Sequence, residues 1–124
     1  MNNLNGQIIE GLYRCSDEDS WALLKTNHGT FELRVGGVKQ TTEKPSAKNS
    51  IDLPVQGRTI KEAKTDDFHL YFELENGECL VHSDTWINGD GNIDFEVRLI
   101  GKSEFEIDKK EWYDTDSDLK EIEY

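Results

Sequence analysis

Phe68-His69-Leu70-Tyr71-Phe72-Glu73-Leu74 runs into Glu75-Asn76-Gly77 and then into Glu78-Cys79-Leu80-Val81-His82. Phe68, Leu70, Phe72 and Leu74 alternate with His69, Tyr71 and Glu73, the period of a strand buried on one face. Asn-Gly accepts the positive φ angles of a two-residue hairpin turn. A turn at Asn76-Gly77 pairs Leu74 with Cys79, Phe72 with Val81 and Leu70 with Ser83 on one face. Glu73 with Leu80, Tyr71 with His82 and His69 with Asp84 then share the other. Phe72 and Val81 are therefore expected in the core, with Cys79 beside Leu74 as a small core residue.

About fifty residues earlier the pattern occurs once before, as a weak internal repeat. Gly6-Gln7-Ile8-Ile9 leads through Leu12 and Tyr13 to Ser16-Asp17-Glu18-Asp19-Ser20. Trp21 to Thr26, a turn at Asn27-His28-Gly29, and Thr30 to Val35 follow. The second copy opens on Gly57-Arg58-Thr59-Ile60 and passes through Ala63 to Thr65-Asp66-Asp67. A turn at His28-Gly29 sets Thr26 opposite Phe31, Leu24 opposite Leu33 and Ala22 opposite Val35. It also sets Lys25 against Glu32, a cross-strand ion pair. Two hairpins of matching pattern predict a mainly β fold, an antiparallel sheet or small barrel built from two related hairpin units. An α+β fold is the alternative if the C-terminal segment is helical.

The repeat divides a single domain, 1–124, into a first β unit over 6–38, a loop over 39–56, a second β unit over 57–100 and a C-terminal segment over 101–124. The loop holds both prolines, Pro45 and Pro54, with Lys, Thr, Ser and Asn; Ser50-Ile51-Asp52-Leu53 suits a short edge strand. Ile93 to Ile100, apolar at its odd positions, reads as a further strand after a turn over 88–92. Ser103 with Glu106 resembles a capping box, which suggests a short helix anchored by Phe105 and Trp112. Residues 113–124 read as a frayed acidic tail.

Three Trp, five Phe and four Tyr argue for a folded chain despite a net charge of −12. Residues 1–62 hold eight acids and eight bases, so the whole excess lies in 63–124, with eighteen acids against six bases. Such a field repels nucleic acid and anionic lipid and attracts basic partners. Solubility alone is the plainer account of the same acidity. Met1 to Gly6 has neither the basic nor the apolar region of a signal peptide, and no stretch approaches the length of a membrane span. With Cys15 and Cys79 outside any CxxC motif, two free thiols in a reducing cytoplasm are expected; a disulfide is the alternative for an exported protein.

No motif points to chemistry. Asn88-Gly89-Asp90-Gly91-Asn92-Ile93-Asp94 resembles a calcium loop, but aligning Gly91 with its invariant glycine puts Trp86 and Val97 where end carboxylates belong. No metal or cofactor is expected. His69, His82, Tyr71, Glu73 and Asp84 are expected on one open sheet face, which suits a protein-binding patch better than a catalytic cleft. Ser20 and Ser83 lack a nucleophile elbow, and Gly36-Gly37 lacks a phosphate loop.

Gly57-x-x-Ile60, Leu74-Glu75-Asn76-Gly77 and Leu80, together with the acid-rich second half, give a chain that resembles the small immunity proteins bacteria encode beside polymorphic or contact-dependent toxins. The resemblance implies a protein, not an enzyme, that binds and blocks a toxin domain, commonly a nuclease with a basic active site. The expected contact residues are Asp66, Asp67, His69, Tyr71, Glu73, Glu75, Glu78, His82, Asp84, Trp86 and Asp90, acids interleaved with aromatic anchors. Asp114, Asp116 and Asp118 add to the field from the tail. A cytosolic scaffold or interaction domain without a toxin partner, and a small metal-binding protein or enzyme, are the competing readings.

Overall fold

A computed structural model describes residues 2–15, 22–34, 37–66, 69–87, 93–104 and 119–124. Over 84–87 and 93–95 it describes the backbone alone. Four strands form the first sheet in meander order: β1 (Ile9–Arg14), β2 (Ala22–Thr26), β3 (Gly29–Arg34) and β4 (Gly37–Thr41). A 3-10 turn at Ala47–Asn49 leads to the second meander: β5 (Ile60–Thr65), β6 (His69–Leu74), β7 (Cys79–Ile87) and β8 (Ile93–Ile100). A last strand, β9 (Lys120–Glu121), adds to the free edge of β5, giving the order β8-β7-β6-β5-β9. The fold is mainly β, as the alternating pattern predicts, with two antiparallel sheets and no closed barrel.

The repeat is a structural fact, with the two units joined about a local two-fold. Gly6 N–H donates to the Ile60 carbonyl and Gly57 N–H to the Ile9 carbonyl, both at 2.7 Å. Ile60 N–H donates to Gln7 at 2.8 Å, and Ile9 N–H donates to Arg58 at 2.9 Å. Each bond maps onto its twin by the offset that carries Gly6 to Gly57. Those two glycines have φ of 84° and 83°, and β1 and β5 carry bulges at matching places, Ile9/Gly11 and Ile60/Glu62. Leu4 and Val55, one offset apart, are both buried.

One core serves both units. Leu12, Leu24, Phe31 and Leu33 of the first sheet join Ile60, Leu70, Phe72, Leu74 and Leu80 of the second in a single cluster. The second sheet has a further cluster on its opposite face, where Tyr71, Cys79, Val81 and Ile100 meet Leu119. Strand β7 is therefore buried on both faces from Cys79 to Ser83.

Both hairpin registers differ from the sequence reading, for different reasons. In the first, Asn27 and His28 form the turn and Thr26 pairs with Gly29. Thr26 Oγ1 accepts from the His28 N–H at 3.1 Å, and Asn27 N–H donates to the Ile8 carbonyl at 3.0 Å, which locks the turn there. The shift is two residues, so Leu24 faces Phe31 and Ala22 faces Leu33 on the expected side. Lys25 lies near Glu10 at 3.8 Å, while Glu32 meets Arg34 at 2.6 Å.

In the second hairpin the shift is one residue. Gly77 N–H donates to the Leu74 carbonyl at 2.9 Å, and Leu74 N–H donates to the Glu78 carbonyl at 2.8 Å. Gly77 sits at φ 90°. This is a three-residue loop, a turn through Glu75-Asn76 closed by a left-handed glycine. Phe72 now pairs with Leu80, Leu70 with His82, and Tyr71 with Val81. A one-residue slip turns every side chain of β7 to the opposite face. Val81 and Cys79 leave the expected face for the second cluster, and His82 enters the main core.

The connection over 39–56 begins as strand, since β4 runs to Thr41, and Ser50 bridges Tyr13 at the edge of β1. Residues 102–104 are helical; the proposed capping partner Glu106 and the anchors Phe105 and Trp112 lie outside the described residues. The end of the tail is docked, not frayed. Ile122 is buried, Glu123 bridges Asn3, and the Tyr124 ring meets Phe31 edge-on with centroids 4.6 Å apart.

Candidate functional site

The register of the second hairpin redistributes the expected contact residues. His82 pairs with Leu70 and Val97 and is buried at 1% exposure, so it leaves the surface. Burial lowers its pKa from 6.5 to about 4, because desolvation disfavours the imidazolium. Tyr71 is buried in the second cluster, where its ring stacks with His69 at 5.7 Å. Neither side chain is free to anchor a partner. Asp84 and Trp86 lie on β7 opposite Phe95 and Asp94; Asp67 and Asp90 lie outside the described residues, as do Asp114, Asp116 and Asp118.

Asp66 is committed to the β5–β6 connection. Its Oδ1 accepts the His69 backbone N–H at 2.5 Å, and its Oδ2 lies 2.9 Å from His69 Nδ1. A carboxylate only accepts, so Nδ1 is the donor in that second bond. Thr65 Oγ1 donates to the His69 carbonyl at 2.7 Å and tightens the same turn. Ser83 sits directly across from His69. This brings serine, imidazole and carboxylate into one neighbourhood, yet no hydrogen bond joins Ser83 to His69 among the described residues. Both oxygens of Asp66 serve the turn.

What the hairpin presents outward is its acidic tip. Glu73 is half-buried at the end of β6, Glu75 is exposed in the loop, and Glu78 opens β7's approach. Asn76 Nδ2 donates to Glu78 Oε1 at 2.5 Å, and Asn76 Oδ1 accepts the Glu78 N–H at 3.1 Å. Four acids elsewhere have basic neighbours, Glu10 with Lys25, Glu32 with Arg34, Glu62 with Lys64 and Glu96 with Arg98, while Glu43, Asp52, Glu104, Glu121 and Glu123 have none among the described residues. Among the described residues Glu73, Glu75 and Glu78 form no ion pair. The stem of Lys102 passes over Gly77, with its Cδ 3.4 Å from where a Cβ would stand.

A second polar site escapes sequence reasoning because its parts come from the two ends of the chain. Asn2, Asn3, Asn5, Gln7, His28 and Tyr124 line an open cleft of about 360 Å³. Beneath it, Thr26 Oγ1 donates to Gln7 Oε1 at 2.6 Å, and Gln7 Nε2 donates to Tyr124 Oη at 2.7 Å and to the Asn3 carbonyl at 3.2 Å. Gln7 and Thr26 are each 2% exposed. A polar Thr26 in an otherwise apolar alternation was the only available signal.

Cys15 and Cys79 are both buried. Cys15 Sγ lies 3.8 Å from both carboxylate oxygens of Glu43. Among the described residues no group of His, Cys, Asp and Glu is placed to hold a metal ion, and no helix is long and apolar enough to cross a membrane. No family model, no curated protein and no solved structure matches the chain.

Proposed function

We propose that this protein is a binding module of the immunity type, which holds and blocks a basic toxin domain through the acidic tip of its β6–β7 hairpin. The observation that carries the reading is the gathering of three carboxylates at the end of one hairpin. Glu73, Glu75 and Glu78 have no ion-pair partner among the described residues, whereas acids on the strands beside them do. Unpaired carboxylates on a rigid hairpin project a field that accelerates encounter with a cation-rich surface. Asp66, Tyr71 and His82 act in this reading as supports, not contacts: they fix the turn, the outer cluster and the core behind the tip.

The test begins with a pull-down from host lysate with the full chain, followed by identification of the captured protein. Association rates are then measured over a salt series for the wild type and for Glu75→Lys and Glu78→Lys. The reading expects a basic partner whose association slows with salt and slows about tenfold or more in the double reversal. Rates indifferent to both salt and reversal reduce the acidity to a solubility device.

A further inference from the structure

The local two-fold supplies an internal control for the polar cleft. Thr26 pairs with Ile9, and Leu74 pairs with Ile60, so Thr26 and Leu74 occupy equivalent places in the two units. The same correspondence sets Gln7 against Arg58, Asn3 against Pro54 and Asn2 against Leu53. In the second unit the buried position is a fully buried leucine, and Leu53 packs on the core. At this one buried position the fold is thus built once with a leucine and once with a hydroxyl, while the twins of Gln7 and Asn5 are the exposed Arg58 and Gln56. Buried polar groups weaken a core unless they are fully bonded. Backbone geometry does not require a hydroxyl at the Thr26 position, since the twin has a buried leucine there.

We infer that the cleft is a binding site for a neutral, hydroxyl-rich small molecule of sugar size. Among the described residues no carboxylate or ammonium side chain lines it, and the Glu121 carboxylate bonded to the lining Asn5 at 2.9 Å disfavours an anion, so the recognition chemistry is that of an uncharged ligand. Amides carry donors and acceptors side by side, which matches hydroxyls that act as both. The Tyr124 hydroxyl accepts from Gln7 Nε2, and its own proton remains to be donated. That donor is held firmly. Gln7 is fixed from below by Thr26, and the Tyr124 ring is braced on Phe31. The volume, about 360 Å³, falls in the range of small-molecule clefts. The site lies on the first unit and the C-terminal strand, so it is independent of the acidic tip.

Nitrogen–proton correlation spectra of the full chain, titrated with glucose, galactose, N-acetylglucosamine and maltose at millimolar concentrations, test the inference. At least one sugar is expected to shift Asn3, Asn5, Gln7, His28 and Tyr124 in a saturable way. Tyr124→Phe, which keeps the ring on Phe31, should weaken that sugar about tenfold. Asn2→Ala tests the rim at an exposed side chain and should weaken it by a smaller factor without lowering the melting temperature. Absence of saturable shifts with every sugar overturns the inference. So does binding that both variants leave unchanged, or shifts scattered away from the cleft.

Discussion

The β2–β3 and β6–β7 hairpins occupy equivalent places in the two units, yet they face different surroundings. On the outer side of the first, Lys25 is exposed and Glu32 reaches Arg34, with Leu23 alone fully buried. On the outer side of the second, Tyr71, Cys79 and Val81 are all buried. A sheet with one wet face tolerates polar substitution there, whereas a sheet covered on both faces reads as a continuous apolar run. Cys79-Leu80-Val81 at the start of β7 is such a run. The comparison teaches that two copies of one backbone can diverge by what is laid over them, and that the loop closing each hairpin decides which face each residue joins.

The largest expected effect tests that difference. Tyr71→Ala should destabilise the protein by about 3–5 kcal/mol, as truncation of a core aromatic does. Lys25→Ala, on the corresponding wet face, should stay within about 0.5 kcal/mol. Denaturant unfolding of the two variants measures both; equal small losses would mean that the outer face of the second sheet is not a core.

Next in size is a pH effect in the second unit. The folded-state pKa of His82 is about 4 against 6.5 for the free group. Between those values the unfolded chain binds a proton that the folded chain does not, so stability rises with pH through this window and is lost as pH falls from 6.5 towards 4. The loss amounts to as much as about 3 kcal/mol. The wild-type unfolding free energy minus that of His82→Leu, followed from neutral pH down to pH 4, should fall by that amount, because the variant lacks the slope. Parallel curves would place His82 in water.

Smaller again are the two turns. Gly77→Ala places a side chain at φ 90° and should cost about 1 kcal/mol. Asp66→Ala removes the acceptor for the His69 N–H and should cost about 1–2 kcal/mol. Chemical unfolding separates these from Glu75→Lys, which should change stability by less than about 0.5 kcal/mol while slowing association with a basic partner.

The alternation in Leu70 to Leu74 and the offset between Gly6 and Gly57 were enough to predict a β fold of two related units. They did not distinguish a two-residue turn from a three-residue loop, because Asn76-Gly77 satisfies both: the glycine is left-handed in either. That one residue of ambiguity moved His82 and Val81 across the sheet. The first hairpin was read two residues out and lost only its Lys25–Glu32 pair, since an even shift preserves faces. Strand β4 was missed because Gly37-Val38-Lys39-Gln40-Thr41 is polar and lies on an edge, where alternation is weak. The docking of Ile122 on Ala63 and of Tyr124 on Asn2, Gln7 and Phe31, and with it the cleft, depends on partners far away in the sequence, which no local pattern records. The acidic tip was legible because charge in a turn needs no tertiary context to be exposed.

The register of β6 against β7 decides which side chains stand behind the tip and which lie before a partner, and cross-strand Hα–Hα contacts measure it directly. With Leu74 and Glu78 hydrogen-bonded, the non-bonded pairs bring Tyr71 close to Val81 and Glu73 close to Cys79. Strong Hα–Hα cross-peaks are expected for those two pairs. Cross-peaks joining Phe72 to Val81 and Leu74 to Cys79 would instead establish the two-residue turn, return His82 to the face of Tyr71, and contradict the account.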